Sequence, residues 1–536
     1  MDKKTLLAVL LILVVFWISS EFIWKKKKPI QQTQQQTTEK ALDISNQTAK
    51  TSIPAEQILE NENEIIILDD NIDINNNIVL ENELIRISFS NQGAVINSIQ
   101  LKEFFMNDKE SFVELVNENG KILNTKLNDT AGNISNYSTV PFQYEINEAG
   151  RKITFISNTE KGTYKKIFIL SDDYEIFMET QFNGFENLSS YEIDFGSGIA
   201  DTEEYLKMKN REYAVISQID NDYNKIALSK LKEERRVSGS IDWAAVRSKY
   251  FTMAIMPNEL IEMNKLSAYK FDESPTMKLS VSTIGSQINH KYNLYMGPLD
   301  YGRLKEYNNG IENIVEMGPK FLQPISKIFH WFLSFLYGFI PSWGLVIIIF
   351  SIILKTLLYP LTHKSFESTT KMQKIQPLTK ELQAKYKGDP QKMNVELKKL
   401  YKEHGVNPLG GCLPMLLQMP VIFALYPLLR YSISLRQASF GWLPDLSEPD
   451  PIWALPILMA VFMFVQQKLM APSKASLDGM DDKQKAQQQS QKMMMYFMPI
   501  MMFFIFKGLS SGLVLYWTVF SIIGSAQQYF IKKKFM

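Results

Sequence analysis

WGLVIIIFSIILKTLLYPLT, residues 343–362, is the stretch that decides how this chain is interpreted. It is twenty residues long and almost wholly apolar, which is the length that a helix needs to cross the hydrocarbon core of a bilayer. Its only charged side chain is Lys355. An ammonium group at membrane depth costs roughly 2.5–3.5 kcal/mol, so such a residue usually faces a polar cavity or a partner. The stretch therefore predicts a membrane-spanning helix that carries a functional lysine.

Five further apolar segments indicate additional membrane helices. They lie at about 5–24, 412–431, 453–470, 493–506 and 509–531. With 343–362 they predict six transmembrane helices: a five-helix core within residues 342–536 and an uncleaved anchor at residues 1–24. A cleavable signal peptide is the alternative for the anchor, although no A-x-A-like site precedes the lysines at 25–28.

The chain between the anchor and residue 311 has a different pattern. Residues 25–60 are rich in Gln, Thr, Asn and Ser and predict a flexible linker, because such a composition cannot bury a core. From about 61 to 310, apolar and polar residues alternate, as in YEIFMETQF at 174–182. This alternation predicts a large, mainly antiparallel all-β domain of a size that fits a two-sheet sandwich.

Composition argues against several kinds of chemistry. The net charge of +1 favours neither nucleic acid nor an acidic partner. The single cysteine, Cys412, cannot form an intramolecular disulfide, and the four histidines lie too far apart in sequence to suggest a metal site. Neither a nucleophile–base set nor a P-loop pattern is present. We therefore predict that the protein is not an enzyme and uses no metal or other cofactor.

Two helical segments flank the first span of the core. Within residues 311–341, apolar side chains at 319–337 follow helical spacing and predict a helix lying in the membrane interface, or alternatively one packed beneath the β domain. The lysine-rich segment 363–408 predicts a helical hairpin, with Asp389 capping its second helix and Pro390 at the first helical position. Its candidate contact residues are Lys371, Lys374, Lys385 and Lys398.

The distribution of lysines predicts the orientation of the chain. Ten lysines fall between residues 364 and 402, and others lie in the 471–492 loop and the C-terminal tail, so these parts are expected in the cytoplasm. Counting back through the spans places both termini in the cytoplasm and residues 25–342 outside. The lysines at 25–28 then break the rule.

Polar side chains inside the predicted spans indicate a pocket around Lys355. Ser351 lies one helical turn away on the same face, and Gln418 interrupts the next span. Glutamines also occur late in two other spans, at 466–467 and 527–528. A polar pocket open to the cytoplasm is the simplest arrangement of these groups. The alternatives are that Lys355 reaches the headgroups and that the glutamines hydrogen-bond between packed helices.

The segment 493–506 is unusually rich in methionine. Methionine is flexible and polarizable, and a cluster of it suits a surface that accepts varied apolar partners, such as a passing hydrophobic helix. Contact with lipid or packing in the core fits the composition equally well. The segment is also short for a bilayer about 30 Å thick, so we expect help from its flanks or local thinning of the bilayer.

Several motifs resemble YidC-type membrane protein insertases. NPLGGCLP at 407–414, continuing through Gln418-Met-Pro420 to Tyr426, is similar to the signature of that family. Leu354-Lys355 with YPLT at 359–362, and later LRQA, LPILM and SGLVLY, match family segments in order. Trp243, Tyr250 and YMGP at 295–298 resemble the large periplasmic domain of the Gram-negative-type members.

The resemblance implies an inner-membrane insertase and chaperone that works alone or with the Sec translocon. It also implies a periplasmic β-supersandwich, a cytoplasmic hairpin and a hydrophilic groove that opens to the cytoplasm. The groove would be lined by Lys355, Ser351, Gln418, Tyr516 and Trp517, and a hydrophobic slide for the substrate by Met494, Phe497, Met498, Met501 and Phe423. The implied partners are nascent membrane proteins, the ribosome, the Sec translocon and lipid, with no small-molecule substrate. Lys355 stands where the family commonly has Arg, so a point charge replaces a bidentate fork.

Two other functions fit parts of the sequence. A six-span solute transporter usually shows paired repeats with broken helices, and no such pairing is visible here. A membrane sensor with a periplasmic ligand-binding domain would also carry an outer β sandwich, but a fold alone does not assign a ligand.

Overall fold

The computed structural model describes residues 67, 72–258, 261–386, 388–406, 413–470 and 482–535. The predicted anchor at 1–24, the linker at 25–60 and the motif residues 407–412 lie outside these ranges.

The β domain contains nineteen strands within the described ranges. In chain order they are β1 (Ile78–Glu81), β2 (Ile85–Ser90), β3 (Val95–Phe105), β4 (Phe112–Glu114), β5 (Asn124–Asp129), β6 (Ile134–Asn136), β7 (Gln143–Ile146), β8 (Lys152–Thr159), β9 (Gly162–Leu170), β10 (Glu175–Asn183), β11 (Leu188–Asp194), β12 (Ala214–Ile219), β13 (Asp222–Ala227), β14 (Arg235–Ser238), β15 (Ile241–Arg247), β16 (Phe251–Pro257), β17 (Met263–Phe271), β18 (Ser274–Ser282) and β19 (Gln287–Pro298).

These strands form three antiparallel sheets that share one core. Their orders are β1-β2-β3-β4, β13-β12-β15-β16-β19-β10-β9-β8-β7 and β14-β17-β18-β11-β5-β6. The two larger sheets face each other, since the hydroxyl of Tyr191 on β11 meets that of Tyr292 on β19 at 2.5 Å. The prediction of a large β domain is confirmed.

Strand β10 shows how the alternating pattern works. Ile176, Met178, Thr180 and Phe182 are all buried, as the period-two spacing predicts. The strand pairs antiparallel with β9 on one side and β19 on the other, so it lies inside the nine-stranded sheet.

Ten α-helices are described. They are α1 (Lys209–Glu212), α2 (Tyr301–Lys305), α3 (Gln323–Phe339), α4 (Trp343–Leu357), α5 (Tyr359–Lys385), α6 (Pro390–Glu403), α7 (Leu413–Tyr431), α8 (Ala454–Met470), α9 (Asp482–Phe506) and α10 (Ser511–Phe535). Side chains of α4, α7, α8 and α10 pack into a second core that includes Phe350, Leu425, Met459 and Tyr516.

The predicted span at 343–362 is wrong as a single helix. Helix α4 ends at Leu357 and α5 starts at Tyr359, with a bend of 61° between them. Pro360 explains the break, because a proline nitrogen cannot donate to the carbonyl of Thr356 and its ring disfavours helical backbone in the preceding residue.

Length and apolarity single out one part of the helical region. Among the described residues no single helix meets both criteria for crossing a membrane, whereas the bent pair Trp343–Leu357 and Tyr359–Met372 meets them together. Ala454–Leu469 and Met495–Phe506 are shorter apolar helices. Helix α9 begins at Asp482, so its flank extends the short apolar segment predicted at 493–506.

The two segments that flank α4 are helical. Helix α3 packs on α7 and α4, because the hydroxyl of Ser326 donates to the carbonyl of Ala424 at 3.2 Å and the rings of Phe329 and Phe350 meet. Helices α5 and α6 are joined by the predicted turn, in which the carboxylate of Asp389 accepts from the amide of Lys392 at 3.0 Å. The membrane-interface position of α3 and the cytoplasmic side of the hairpin stay predictions.

Candidate functional site

Lys355 lies in the last turn of α4 and is covered by α10. Only 2% of its surface is exposed. Its Nζ atom stands 3.6 Å from the centroid of the Phe520 ring, a cation–π contact. No carboxylate in the described part of the chain neutralises this ammonium. The site therefore holds a buried positive charge without an anionic partner among those residues.

A stripe of four residues on one face of helix α10 lies toward Lys355. Tyr516, Phe520, Gly524 and Gln528 follow one another at four-residue intervals, so they share one face of the helix. A Cβ atom built on Gly524 would stand 3.2 Å from Nζ of Lys355 and 3.4 Å from Nε2 of Gln466. Glycine at this position leaves room for both side chains.

Three regularly spaced polar contacts hold α10 against α8. The hydroxyl of Thr518 lies 3.3 Å from the carbonyl of Leu455 and shares its proton with the nearer carbonyl of Val514 in its own helix, at 2.7 Å. Ser525 donates to Phe462 at 2.9 Å, and Nζ of Lys532 donates to Leu469 at 3.1 Å. The donors are seven residues apart, which is the repeat at which two long helices stay in register. These contacts between α10 and α8 orient the stripe of α10 toward α4.

The hydrogen bond between Gln418 and Tyr516 brings α7 to the same site. Nε2 of Gln418 donates to the buried hydroxyl of Tyr516 at 3.0 Å. The ring of Tyr516 lies 5.7 Å from Phe520 and 6.5 Å from Phe350, which precedes Ser351 on α4. Ser351 is fully buried, and its hydroxyl donates to the carbonyl of Ile347 in its own helix.

Three of the five predicted groove residues are connected through Phe520: Lys355, Tyr516 and Gln418 join α4, α10 and α7. Ser351 lies one turn before Lys355 on the same face of α4, but its hydroxyl bonds within its own helix. Trp517 is half-buried and packs its ring against Phe506 of α9 at 4.9 Å. Successive helical residues point about 100° apart, so Trp517 cannot share the face of Tyr516.

The predicted slide residues lie on α7 and α9. Phe497 and Phe423 are 60% and 49% exposed, and Met498 and Met501 are half-buried. The side chain of Met494 is outside the described residues. The four described side chains therefore contribute to apolar, partly exposed surfaces of α7 and α9.

The predicted hairpin lysines are exposed on α5 and α6. Lys371 forms an ion pair with Glu367 at 2.9 Å, and Lys385 stands 5.6 Å from the ring of Tyr386. Lys374 and Lys398 are exposed. Within the described ranges, no group of three or more His, Cys, Asp or Glu is arranged to hold a metal ion.

Sequence reasoning overlooked Phe520 and Gly524. The signal was available, because both continue the four-residue spacing that starts at Tyr516. Gln466, noted only as one of several glutamines, lies beside Gly524, where the Nζ atom of Lys355 also lies.

Two family matches account for most of the chain. Residues 77–332 match the family described as YidC periplasmic domain, and residues 335–536 match the 60Kd inner membrane protein family. The membrane protein insertase YidC of Pelodictyon phaeoclathratiforme is 30% identical over 585 residues, which cover 99% of this chain and 95% of that protein. The chain belongs to the YidC family of membrane protein insertases.

Other YidC proteins agree with this assignment. The YidC insertase of Chlorobium phaeovibrioides is 33% identical over 510 residues, covering 84% of this chain and 82% of that protein. A crystal structure of an active YidC insertase with its first transmembrane domain resolved is 20% identical, with a TM-score of 0.37, and covers 86% of this chain and 94% of that one. At this score the structural overlap adds nothing to the sequence matches.

Membership of the YidC family confirms the predicted insertase function. It makes the chain an inner-membrane protein that is not an enzyme, with the β domain as the periplasmic domain of the family. The transporter and sensor alternatives are not supported.

Proposed function

We propose that this YidC protein inserts nascent membrane proteins by attracting an acidic segment of the substrate to Lys355. The observation that carries the proposal is the burial of this ammonium without a carboxylate partner in the described part of the chain. At an effective dielectric constant near 20 and a separation of 4 Å, the attraction between two opposite charges is about 4 kcal/mol. Hydration and salt reduce this value.

The contact between Lys355 and Phe520 is weak enough to be replaced by a contact with the substrate. A cation–π contact supplies about 0.5–2 kcal/mol, which is less than the attraction that a carboxylate offers. Lys355 therefore contacts the ring while no substrate is present, and it exchanges this contact for one with an acidic tail. Because Lys355 is covered in the structure, α10 must move away from α4 before the groove accepts a tail.

Gln418 and Tyr516 supply further polar contacts next to Lys355. Their mutual hydrogen bond can be exchanged for bonds to polar atoms of the substrate backbone. Gln528, one turn beyond Gly524, has a buried Oε1 with no partner among the described residues, so it offers an additional acceptor.

The apolar part of the substrate leaves along the exposed surface of α7 and α9. Phe423 and Phe497 are the aromatic contacts, and Met498 and Met501 are the adaptable ones. Met494, whose side chain lies outside the described residues, is included from the sequence alone. Transfer of the apolar helix from this surface into lipid drives release, since burial of apolar area in hydrocarbon is favourable. Half-buried Trp517 packs beside α9 through its contact with Phe506 and is a further candidate contact for the apolar helix.

The proposed arrangement across the membrane follows the lysines. Residues 1–24 form the anchor, 25–60 the linker, 61–310 the periplasmic domain, 311–341 the interfacial helix and 342–536 the core. With six spans, both termini and the α5–α6 hairpin lie in the cytoplasm. The exposed lysines of the hairpin then face the ribosome, whose RNA phosphates attract them, or the Sec translocon.

Substitution of Lys355 tests the proposal in reconstituted proteoliposomes. We expect Lys355→Ala to lower the insertion of single-span substrates with acidic tails, whereas Lys355→Arg retains it because the charge is kept. Insertion by Lys355→Ala at the wild-type rate would contradict the attraction step. Site-specific photocrosslinking of stalled ribosome–nascent chains from positions 351, 498 and 517 reports the substrate path in the same preparations.

A further inference from the structure

Lys507 lies in the short turn between α9 and α10, at the end of the helical core that contacts the β domain. The hydroxyl of Tyr205, in the β domain, lies 3.5 Å from the position that a Cβ atom on Gly508 would take. The amide of Ser511, which starts α10, donates to the carbonyl of Glu448 in the loop between α7 and α8 at 2.7 Å. Because the β domain is the periplasmic domain of the family, this turn lies on the periplasmic side of the core.

Two aromatic rings flank the ammonium group of Lys507. Its Nζ atom lies 4.9 Å from the centroid of the Phe504 ring and 5.9 Å from that of the Trp453 ring. Both aromatic side chains are more than half exposed, and the indole N–H of Trp453 has no acceptor among the described residues. Cation–π contacts at an exposed site are weak, so the charge stays available to an anion.

Trp453 has an unusual backbone conformation. Its φ angle is 58°, in the left-handed region that a bulky side chain rarely adopts. Asp450 stabilises this turn, because its carboxylate accepts from the amides of Ile452 and Leu455 at 3.2 and 2.7 Å. The turn fixes the ring of Trp453 at the start of α8, beside Lys507. Backbone strain of this kind is concentrated at sites that contact ligands.

Lys507 differs from other cations at this end of the core in having no acidic partner within the described ranges. Three of the others are paired with carboxylates: Arg430 with Glu212, Arg436 with Glu203 and Lys249 with Glu448. Lysine is also uncommon on the outer side of a membrane protein. Lys507 is therefore free to bind an anion from another molecule.

A row of exposed apolar residues leads from Lys507 along α9. Phe497, Ile500 and Phe504 are 60%, 56% and 60% exposed and precede Lys507 at intervals of three or four residues, so they share one face. Residues 497–507 span about 15 Å at the helical rise, which is half of a hydrocarbon core about 30 Å thick. The row is thus as long as the acyl layer of one leaflet. Phe497 also lies on the proposed path of the substrate, whereas Ile500, Phe504 and Lys507 do not.

We propose that Lys507 binds the phosphate of an anionic phospholipid in the outer leaflet. The indole N–H of Trp453 is an additional donor to the headgroup, and an acyl chain of the same lipid lies against Phe504 and Ile500. Charge and length together select this occupant. A zwitterionic lipid brings no net charge to the lysine, and a soluble anion makes no use of the apolar row. The site does not depend on the proposed role of Lys355.

Quenching by brominated lipid tests the proposal with the full chain in nanodiscs. Cys412→Ser and Ile505→Cys leave one exposed cysteine next to Phe504, which is labelled with bimane. The discs contain phosphatidylcholine and a minor fraction of phosphatidylglycerol, with bromine on the acyl chains of one lipid or the other. We expect about fivefold enrichment of phosphatidylglycerol near the label, because one lysine at an anionic lipid surface contributes about 1 kcal/mol.

Variants at Lys507 show whether this charge causes the enrichment. Lys507→Gln should lose it, whereas Lys507→Arg should keep it because the charge is retained. Lys265→Gln, which removes an exposed lysine of the β domain, is the matched control and should behave as the wild type. Quenching by brominated phosphatidylcholine in every variant reports that α9 stays in the bilayer.

Three results would overturn the proposal. No enrichment in the wild type, or the same enrichment in Lys507→Gln, would show that Lys507 does not bind the lipid. An equal loss in Lys265→Gln would show that the overall charge of the chain attracts the lipid. Loss of the enrichment on addition of soluble glycerol phosphate would assign the site to soluble phosphate compounds instead of a lipid.

Discussion

Buried cations occur at the interface between the β domain and the helical core and also within the helical core. The two regions differ in whether a carboxylate contacts the cation. Arg430 and Arg436 each contact a buried carboxylate of the β domain. Lys355 contacts the face of Phe520 and no described carboxylate. A paired cation holds two parts of the chain together, whereas an unpaired one keeps its attraction for an anion from another molecule. We propose that the presence or absence of a carboxylate partner distinguishes the structural charges of Arg430 and Arg436 from the charge of Lys355, which is available to a substrate.

Lys166 refines this comparison. It lies in β9, is buried without a carboxylate partner, and burial lowers its pKa to about 7. Its Nζ atom donates to the carbonyl of Leu123 at 2.5 Å, so its own domain satisfies it. Burial without an acid is therefore insufficient evidence of function. Lys355 differs because no described oxygen accepts a hydrogen bond from it.

The largest expected effect on stability concerns Arg436. Arg436→Met leaves the carboxylate of Glu203 buried alone, so the free energy of unfolding should fall by about 3–5 kcal/mol. The double variant Arg436→Met/Glu203→Met removes both charges and should lie within about 1 kcal/mol of the wild type. Denaturant unfolding in detergent measures both. If the losses in the free energy of unfolding were additive in the double variant, the pair would not stabilise the interface.

Lys166→Met should have a smaller effect of opposite sign. A lysine whose pKa falls from 10.5 to about 7 on folding destabilises the folded state by about 5 kcal/mol at pH 7 and below. Loss of the hydrogen bond to Leu123 offsets about 1–3 kcal/mol of the gain. The variant should therefore be about 2–4 kcal/mol more stable at pH 7.

The pH dependence of the free energy of unfolding is the control for the prediction on Lys166→Met. In the wild type, the stability linked to this residue is present above pH 10.5 and is lost as the pH falls through about 7. The difference between Lys166→Met and the wild type should accordingly shrink between pH 7 and 10.5. A constant difference would show that packing, and not the proton, sets the effect.

Glu448 should give the smallest effect. Burial is the main cause that raises the pKa of Glu448 from 4.5 to about 7. The nearby charges of Asp445 and Glu203 also raise it, whereas those of Lys249 and Arg430 lower it. Because the folded pKa is raised, the associated stability is present below pH 4.5 and is lost as the pH rises through about 7. The wild type should lose about 1–2 kcal/mol relative to Glu448→Gln over this range, after allowance for partial exposure. Unfolding curves of both proteins at pH 4.5 and 8 measure it, and parallel curves would exclude titration of this carboxylate.

The β domain and the common face of Ser351 and Lys355 follow from local pattern. Alternation fixes which side of a strand is buried, and four-residue spacing fixes which side of a helix is shared, so neither requires knowledge of the rest of the fold. The bend at Leu358 was also predictable, since Pro360 breaks the backbone ladder of a helix.

The domain interface was not predictable in this way. Glu212 and Arg430 are 218 residues apart in sequence, and nothing in either neighbourhood indicates its partner. The position of Trp517 on the far side of α10 was not predictable from the family resemblance alone, since its packing on Phe506 depends on how α9 and α10 meet.

The dependence of insertion on substrate charge tests the role of Lys355 most directly. The rate for a single-span substrate with an acidic tail is divided by the rate for the same substrate with a neutral tail, in proteoliposomes that contain wild-type protein or Lys355→Gln. This ratio cancels any general loss of folded protein. We predict a ratio above one for the wild type and close to one for Lys355→Gln, because the attraction is electrostatic. An equal ratio above one in both proteins would contradict the assignment of Lys355 as the charge that attracts the substrate.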